Sequence, residues 1–209
     1  MLRGAFTFIE IVAVVVIVAI LSSIAVSRFT ENSELYLAID QTLSHIRYTQ
    51  HLAVMSDPYD SSDQNWIYRR WLIRFSNQGK AEYGNGWTYS IFLDSESDPN
   101  ISPKASECAK DPQTGRLMSG GFGDKIKTVD GMPELALTRH WHITAVSLRG
   151  CTSTIAFDAM GRPYNHTSVG PDIKRTRITD VCRITFTHAK EGSASICIHP
   201  ESGYAEMCG

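Results

Sequence analysis

The feature that most constrains this chain of 209 residues lies at its start. Its first 27 residues carry only two charges, Arg3 and Glu10, and Ile11 to Ser27 (IVAVVVIVAILSSIAVS) carry none. As a helix at about 1.5 Å per residue, the stretch from Phe6 to Val26 spans roughly 30 Å, the thickness of a bilayer core. A secretory signal peptide places its small cleavage residues after the apolar stretch. Here Gly4 and Ala5 precede it, beside Arg3. Glu10 stands inside the apolar stretch, where a carboxylate near a bilayer centre costs about 2.5–3.5 kcal/mol and calls for a partner. The remainder is polar and the mean hydropathy is −0.15, which excludes a multi-span membrane protein. Twenty basic residues against 22 acidic ones exclude a polycation built for nucleic acid.

The helix is expected to continue beyond the apolar segment. Residues 34–55 (ELYLAIDQTLSHIRYTQHLAVM) contain no Gly or Pro. Leu35, Ile39, Leu43 with Thr42, Ile46 and Ala53 recur at helical spacing, opposite Asp40, Gln41, Ser44, Arg47 and Gln50. Asp57-Pro58 ends the pattern. Strand patterns follow at Trp71–Phe75, Trp87–Leu93, Glu134–Thr138, Ile143–Leu148, Thr152–Phe157, Arg177–Thr187, Ala194–Ile198 and Tyr204–Met207. Residues 94–125, rich in Ser, Asp, Pro and Gly, read as a long surface loop suited to partner specificity. The expected fold is α+β: a long N-terminal helix, membrane-spanning over 6–27 and amphipathic over 28–56, packed on antiparallel sheets of a β-rich head at 57–209.

Catalytic motifs are absent: there is no G-x-S-x-G, no P-loop and no G-x-G-x-x-G after a strand. His140 and His142 would share one face of a strand, but no third ligand is signalled nearby, so neither metal nor cofactor is read here. Asp57, Asp60 and Asp63 lack the spacing of an EF-hand loop. His45 and His51 are six apart on the helix and do not share a face. The chain is not read as an enzyme.

The string GAFTFIEIVAVVVIVAIL resembles the N-terminal signal of type IV pilins and pseudopilins. The resemblance implies cleavage by prepilin peptidase between Ala5 and Phe6, leaving 1–5 as a leader, and methylation of the new Phe6 amine. Glu10 then becomes the fifth mature residue and pairs with the N-terminal amine of a neighbouring subunit. Two charges in low dielectric attract strongly only when buried together, so such a pairing would answer the cost of Glu10. The family usually has Gly before the cut, where this chain has Ala5, and often Pro where it has Ser27. A second segment, Phe157-Asp158-Ala159-Met160-Gly161-Arg162-Pro163, resembles the strand-and-turn pattern of the GspH/FimT group of minor pilins, as does the final hairpin around 195–204.

What the resemblance implies is a minor pilin or pseudopilin that primes or caps a filament of a type II secretion system or type IV pilus. It implies a single-pass inner-membrane protein with a periplasmic head, and as partners other pilins, the peptidase and the inner-membrane assembly platform. The alternative is a DNA-binding minor pilin of a natural-transformation pilus, with Lys174, Arg175 and Arg177, and Arg183 beyond, as the phosphate contacts. All five cysteines lie in the part that would be outside the cytoplasm, where disulfides form. Cys197 and Cys208 flank the turn at 200–204, which makes a cross-strand bridge feasible, and Cys151–Cys182 is the next pairing, with Cys108 left over. Spacing alone does not decide the connectivity.

Overall fold

The structure is a computed structural model that describes residues 8–29, 33–56, 59–62, 66, 69–79, 86–95, 102–121, 126, 129–165 and 176–209. The chain divides into two compact units, Met1–Ser33 and Glu34–Gly209. The first holds helix α1 (Phe8–Phe29). The second begins with helix α2 (Glu34–Met55) and contains every strand among the described residues.

The expected long helix through 6–56 is corrected by this structure. Ser33 lies outside both helices. Among the described residues no helix is long and apolar enough to cross a membrane. The bulk of the second unit is two antiparallel sheets, so the long-helix-on-sheet architecture is replaced, among the described residues, by three short helices and a pair of sheets. The break has a physical cause at Glu34. The backbone N–H groups of Glu34 and Leu35 donate to the Glu191 carboxylate at 3.3 and 2.9 Å. In an uninterrupted helix those donors would be spent on carbonyls four residues earlier. A carboxylate from a distant turn takes them instead and sits at the positive end of the helix dipole. Ser33 directly before an acidic first turn is the matching start signal in the sequence.

Among the described residues eight strands make the two sheets: β1 (Trp71–Gly79), β2 (Gly86–Leu93), β3 (Ile143–Arg149), β4 (Thr154–Phe157), β5 (Pro163–Asn165), β6 (Cys182–His188), β7 (Gly192–Ile198) and β8 (Ala205–Cys208). One sheet runs β2-β1-β4-β5 and the other β3-β6-β7-β8. Helix α2 buries Leu35, Ala38, Ile39, Thr42, Leu43, Ile46, Thr49 and Ala53. These meet Ile73, Phe75 and Tyr89 of one sheet and Ile184, Phe186, Ile196 and Ile198 of the other in a single core. The buried hydroxyls of Thr42 and Thr49 donate to the carbonyls of Ala38 and His45, so neither is stranded.

The first sheet is buried on both faces. Leu72, Phe92 and Ala156 point away from the main core and form a second cluster with Cys108 and Ile126. The reading of 94–125 as a surface loop is thereby corrected. Its described part runs beside β2, with bridges Phe92–Cys108 and Ser90–Ser119, and buries Cys108, Ala109 and Met118. The Glu134–Thr138 strand is also corrected. That segment forms a 3-10 turn, Pro133–Leu135, followed by helix α3 (Leu137–Trp141). Pro133 has no N–H to give a strand ladder and a φ suited to the first turn of a helix.

Candidate functional site

Three places in the chain carry chemistry, and each draws on different elements. The first is α1. Every described side chain from Phe8 to Ile20 is exposed, including Val12, Val15, Val16 and Ile17. Glu10 lies in the first turn, also exposed. This helix is apolar all round, so burying one stripe of it would not suffice. Ala5 and Phe6 lie outside the described residues.

The second place is where the two motif segments meet. Asp158 organises the turn after β4. Its carboxylate accepts N–H from Met160 and Arg162, both at 2.9 Å, and the Arg162 guanidinium at 2.7–2.8 Å. Burial alone would raise the Asp158 carboxyl, but these donors outweigh it and hold it below the usual carboxylate range. Gln50 of α2 donates from Nε2 to Gly161 O at 2.8 Å and to Ser202 O at 3.0 Å, tying this turn to the one before β8. A Cβ on Gly203, which has φ of +66°, would lie 2.1 Å from Gly161 O. Only glycine fits that crossing.

The structure bridges Cys151 to Cys182 and Cys197 to Cys208 and leaves Cys108 as a buried thiol, pushed up to about 12 by burial. Two disulfides suit an oxidising environment. Lys174 and Arg175 lie outside the described residues. Arg177 is ion-paired with Glu201. Arg183 sits in β6 opposite Arg149 and donates to Gly209 O at 3.0 Å.

The third place was not read from the sequence. Glu34 opens α2, His142 caps α3 in a left-handed conformation (φ 51°), and His188 ends β6. His142 Nδ1 donates to Glu34 Oε2 at 2.8 Å, and His188 Nε2 lies 3.4 Å from the same oxygen. The bond from His142, with a smaller contribution from His188, holds the Glu34 carboxyl below its ordinary range. The backbone N–H groups of Lys190 and Glu191 donate to His188 Nδ1 at 3.2 and 3.1 Å.

Neither family models, nor curated proteins, nor solved structures match this chain.

The pairing of His140 with His142 on one strand face is corrected. His140 belongs to α3, where its ring meets Trp141 edge-on, and β3 starts only at Ile143. Of the three aspartates considered for a cation, Asp57 and Asp63 lie outside the described residues, and Asp60 accepts bonds from Ser62. The missed cluster joins residues more than a hundred positions apart in the chain, as the contact between Glu34 and His142 shows. Its one local trace is the turn after His188, where the imidazole accepts N–H from two and three residues on.

Proposed function

We propose that this chain is a minor pilin or pseudopilin that works by assembly rather than catalysis. The observation that carries the reading is α1, an apolar helix whose described side chains are all exposed and which bears a single carboxylate in its first turn. Such a surface is stable only against apolar surroundings. In the proposal those surroundings are the inner membrane before assembly and the like helices of neighbouring subunits afterwards. Prepilin peptidase cuts between Ala5 and Phe6. Glu10 then receives the amine of a neighbouring subunit, which keeps both charges paired in low dielectric. The disulfide-bearing unit stands in the periplasm, in keeping with an oxidising environment.

The test is intact mass and N-terminal sequencing of the protein from its host membranes, together with Glu10→Val. A mature chain that begins at methylated Phe6, with the Glu10 variant processed but absent from filaments, supports the reading. A chain that begins at Met1, or normal incorporation of the variant, defeats it.

A further inference from the structure

We propose that Glu34, His142 and His188 form a zinc site that pins the first turn of α2 to the α3–β3 corner and the end of β6. Glu34 Oε2, His142 Nδ1 and His188 Nε2 lie within 4.8 Å of one another, and two of the three separations are 2.8 and 3.4 Å. A tetrahedral zinc ion with bonds of about 2.0–2.2 Å holds its ligands roughly 3.3 Å apart. Two imidazoles and one carboxylate favour zinc or a neighbouring transition metal over calcium or magnesium, which prefer all-oxygen shells. A cavity of about 320 Å³ adjoins the three side chains and leaves room for water at the fourth position.

An independent observation points to a missing ligand. His188 is only 6% exposed, and its Nε2 is buried with no hydrogen-bond partner, although it faces the Glu34 carboxylate. A buried nitrogen left in that state costs free energy, and an ion seated in the 3.4 Å gap would bond both Nε2, once deprotonated, and the Glu34 oxygen. The disulfides matter as well. Four cysteines are bridged and the fifth, Cys108, is a thiol buried in a separate cluster with Leu72 and Phe92, so at this site imidazole and carboxylate are the zinc ligands available.

Metal binding needs a tautomer change at both imidazoles: at the exposed His142 the Nδ1 proton given to Glu34 moves to Nε2, and at His188 the structure holds the acceptor. The amides of Lys190 and Glu191 point at His188 Nδ1, so the neutral ring keeps its proton on Nε2. Zinc takes the Nε2 lone pair, and the proton passes to Nδ1 at the expense of those two contacts. The Glu191 carboxylate, with Oε2 at 4.0 Å from Nδ1, then accepts it. That is the carboxylate–histidine–metal arrangement that fixes a ligand's tautomer. No net proton is released at His188. Glu34 and Glu191 balance the charge of the ion, and Lys190 lines the outer wall.

The experiment is equilibrium dialysis of the oxidised full-length chain against zinc alone, with calcium and magnesium as controls. Nitrogen NMR of the imidazoles is recorded with and without the metal. Expected are one zinc per chain, a change of the His188 tautomer, and a loss of affinity of more than about tenfold in His142→Asn and in Glu34→Gln. Asn tolerates the left-handed conformation at 142, so that variant folds. His140→Ala and His199→Ala leave binding unchanged. Absence of saturable zinc binding, binding that survives His142→Asn and Glu34→Gln, loss of binding in His199→Ala, or zinc bound with the His188 proton still on Nε2 overturns the site.

Discussion

Helices α1 and α2 are each 22 residues long, yet they solve opposite problems. In α2 the buried residues form one stripe, and two sheets close over it, while Tyr36, Leu37, Val54 and Met55 stay exposed on its other side. Its polar side is also used. Arg47 donates to Ala205 O at 2.8 and 3.2 Å, and Gln50 ties two turns together. In α1 the apolar residues go round the whole circumference, and the described ones stay exposed. The contrast teaches that length and hydrophobicity alone do not decide a helix's fate. The angular distribution decides it. A stripe can be satisfied within one chain, whereas a full circle needs apolar surroundings on every side.

The contrast can be broken or sharpened by comparing equivalent damage in the two units. All four tryptophans (Trp66, Trp71, Trp87 and Trp141) lie in the second unit, so their fluorescence reports on it alone. The largest effect is expected from Phe186→Ala. Phe186 is fully buried and meets Phe75 edge-on across the core at 6.0 Å. Its loss should cost about 3–5 kcal/mol, read as a lower denaturant midpoint. A cost below about 1 kcal/mol would mean that the sheets do not share one core.

Next is replacement of Cys151 and Cys182 by Ala. The bridge closes a loop with a sequence separation of 31, and its removal should cost about 3–4 kcal/mol. The Cys197–Cys208 bridge, with a separation of 11, should be worth about a kilocalorie less. The reverse order would show that strain or residual structure outweighs loop entropy.

Asp158→Asn is a smaller change, about 1–2 kcal/mol near neutral pH. Its sign with pH follows from the direction of the shift. A carboxyl held below its ordinary value of 3.8 stabilises the fold above that value, and the contribution fades as pH falls through the folded-state pKa. Wild type should therefore lose its advantage over Asp158→Asn in melts recorded from pH 6 down to pH 2. A gap that stays constant over that range would remove the carboxylate from the account.

The smallest effect is expected from Val15→Ala in α1, under about 0.5 kcal/mol on the tryptophan transition. Val15 is exposed and buries nothing in the second unit's core. A shift as large as that of Phe186→Ala would erase the distinction between the two helices.

Much of the second unit was legible because its signals are local. The stripe of α2 and the patterns at Trp87–Leu93, Ile143–Leu148 and Ala194–Ile198 coincide with observed elements. The 3-10 turn at Pro133 was misread as a strand because the alternation around Leu135 and Leu137 looks alike in both. The covering of β2 by 102–121 was hidden, since a Gly- and Ser-rich segment gives no sign of lying beside a sheet.

By itself the sequence determined the apolar circle of α1, the stripe of α2, the lone carboxylate at Glu10 and the supply of cysteines, because each depends on residue type and short-range spacing. Only the tertiary structure decided where α2 begins, which cysteines meet, that Gln50 joins two turns, and that Glu34, His142 and His188 converge. Those are contacts between distant segments. They follow from sheet register and from which carboxylate reaches a helix's first N–H groups, and no periodicity along the chain encodes either.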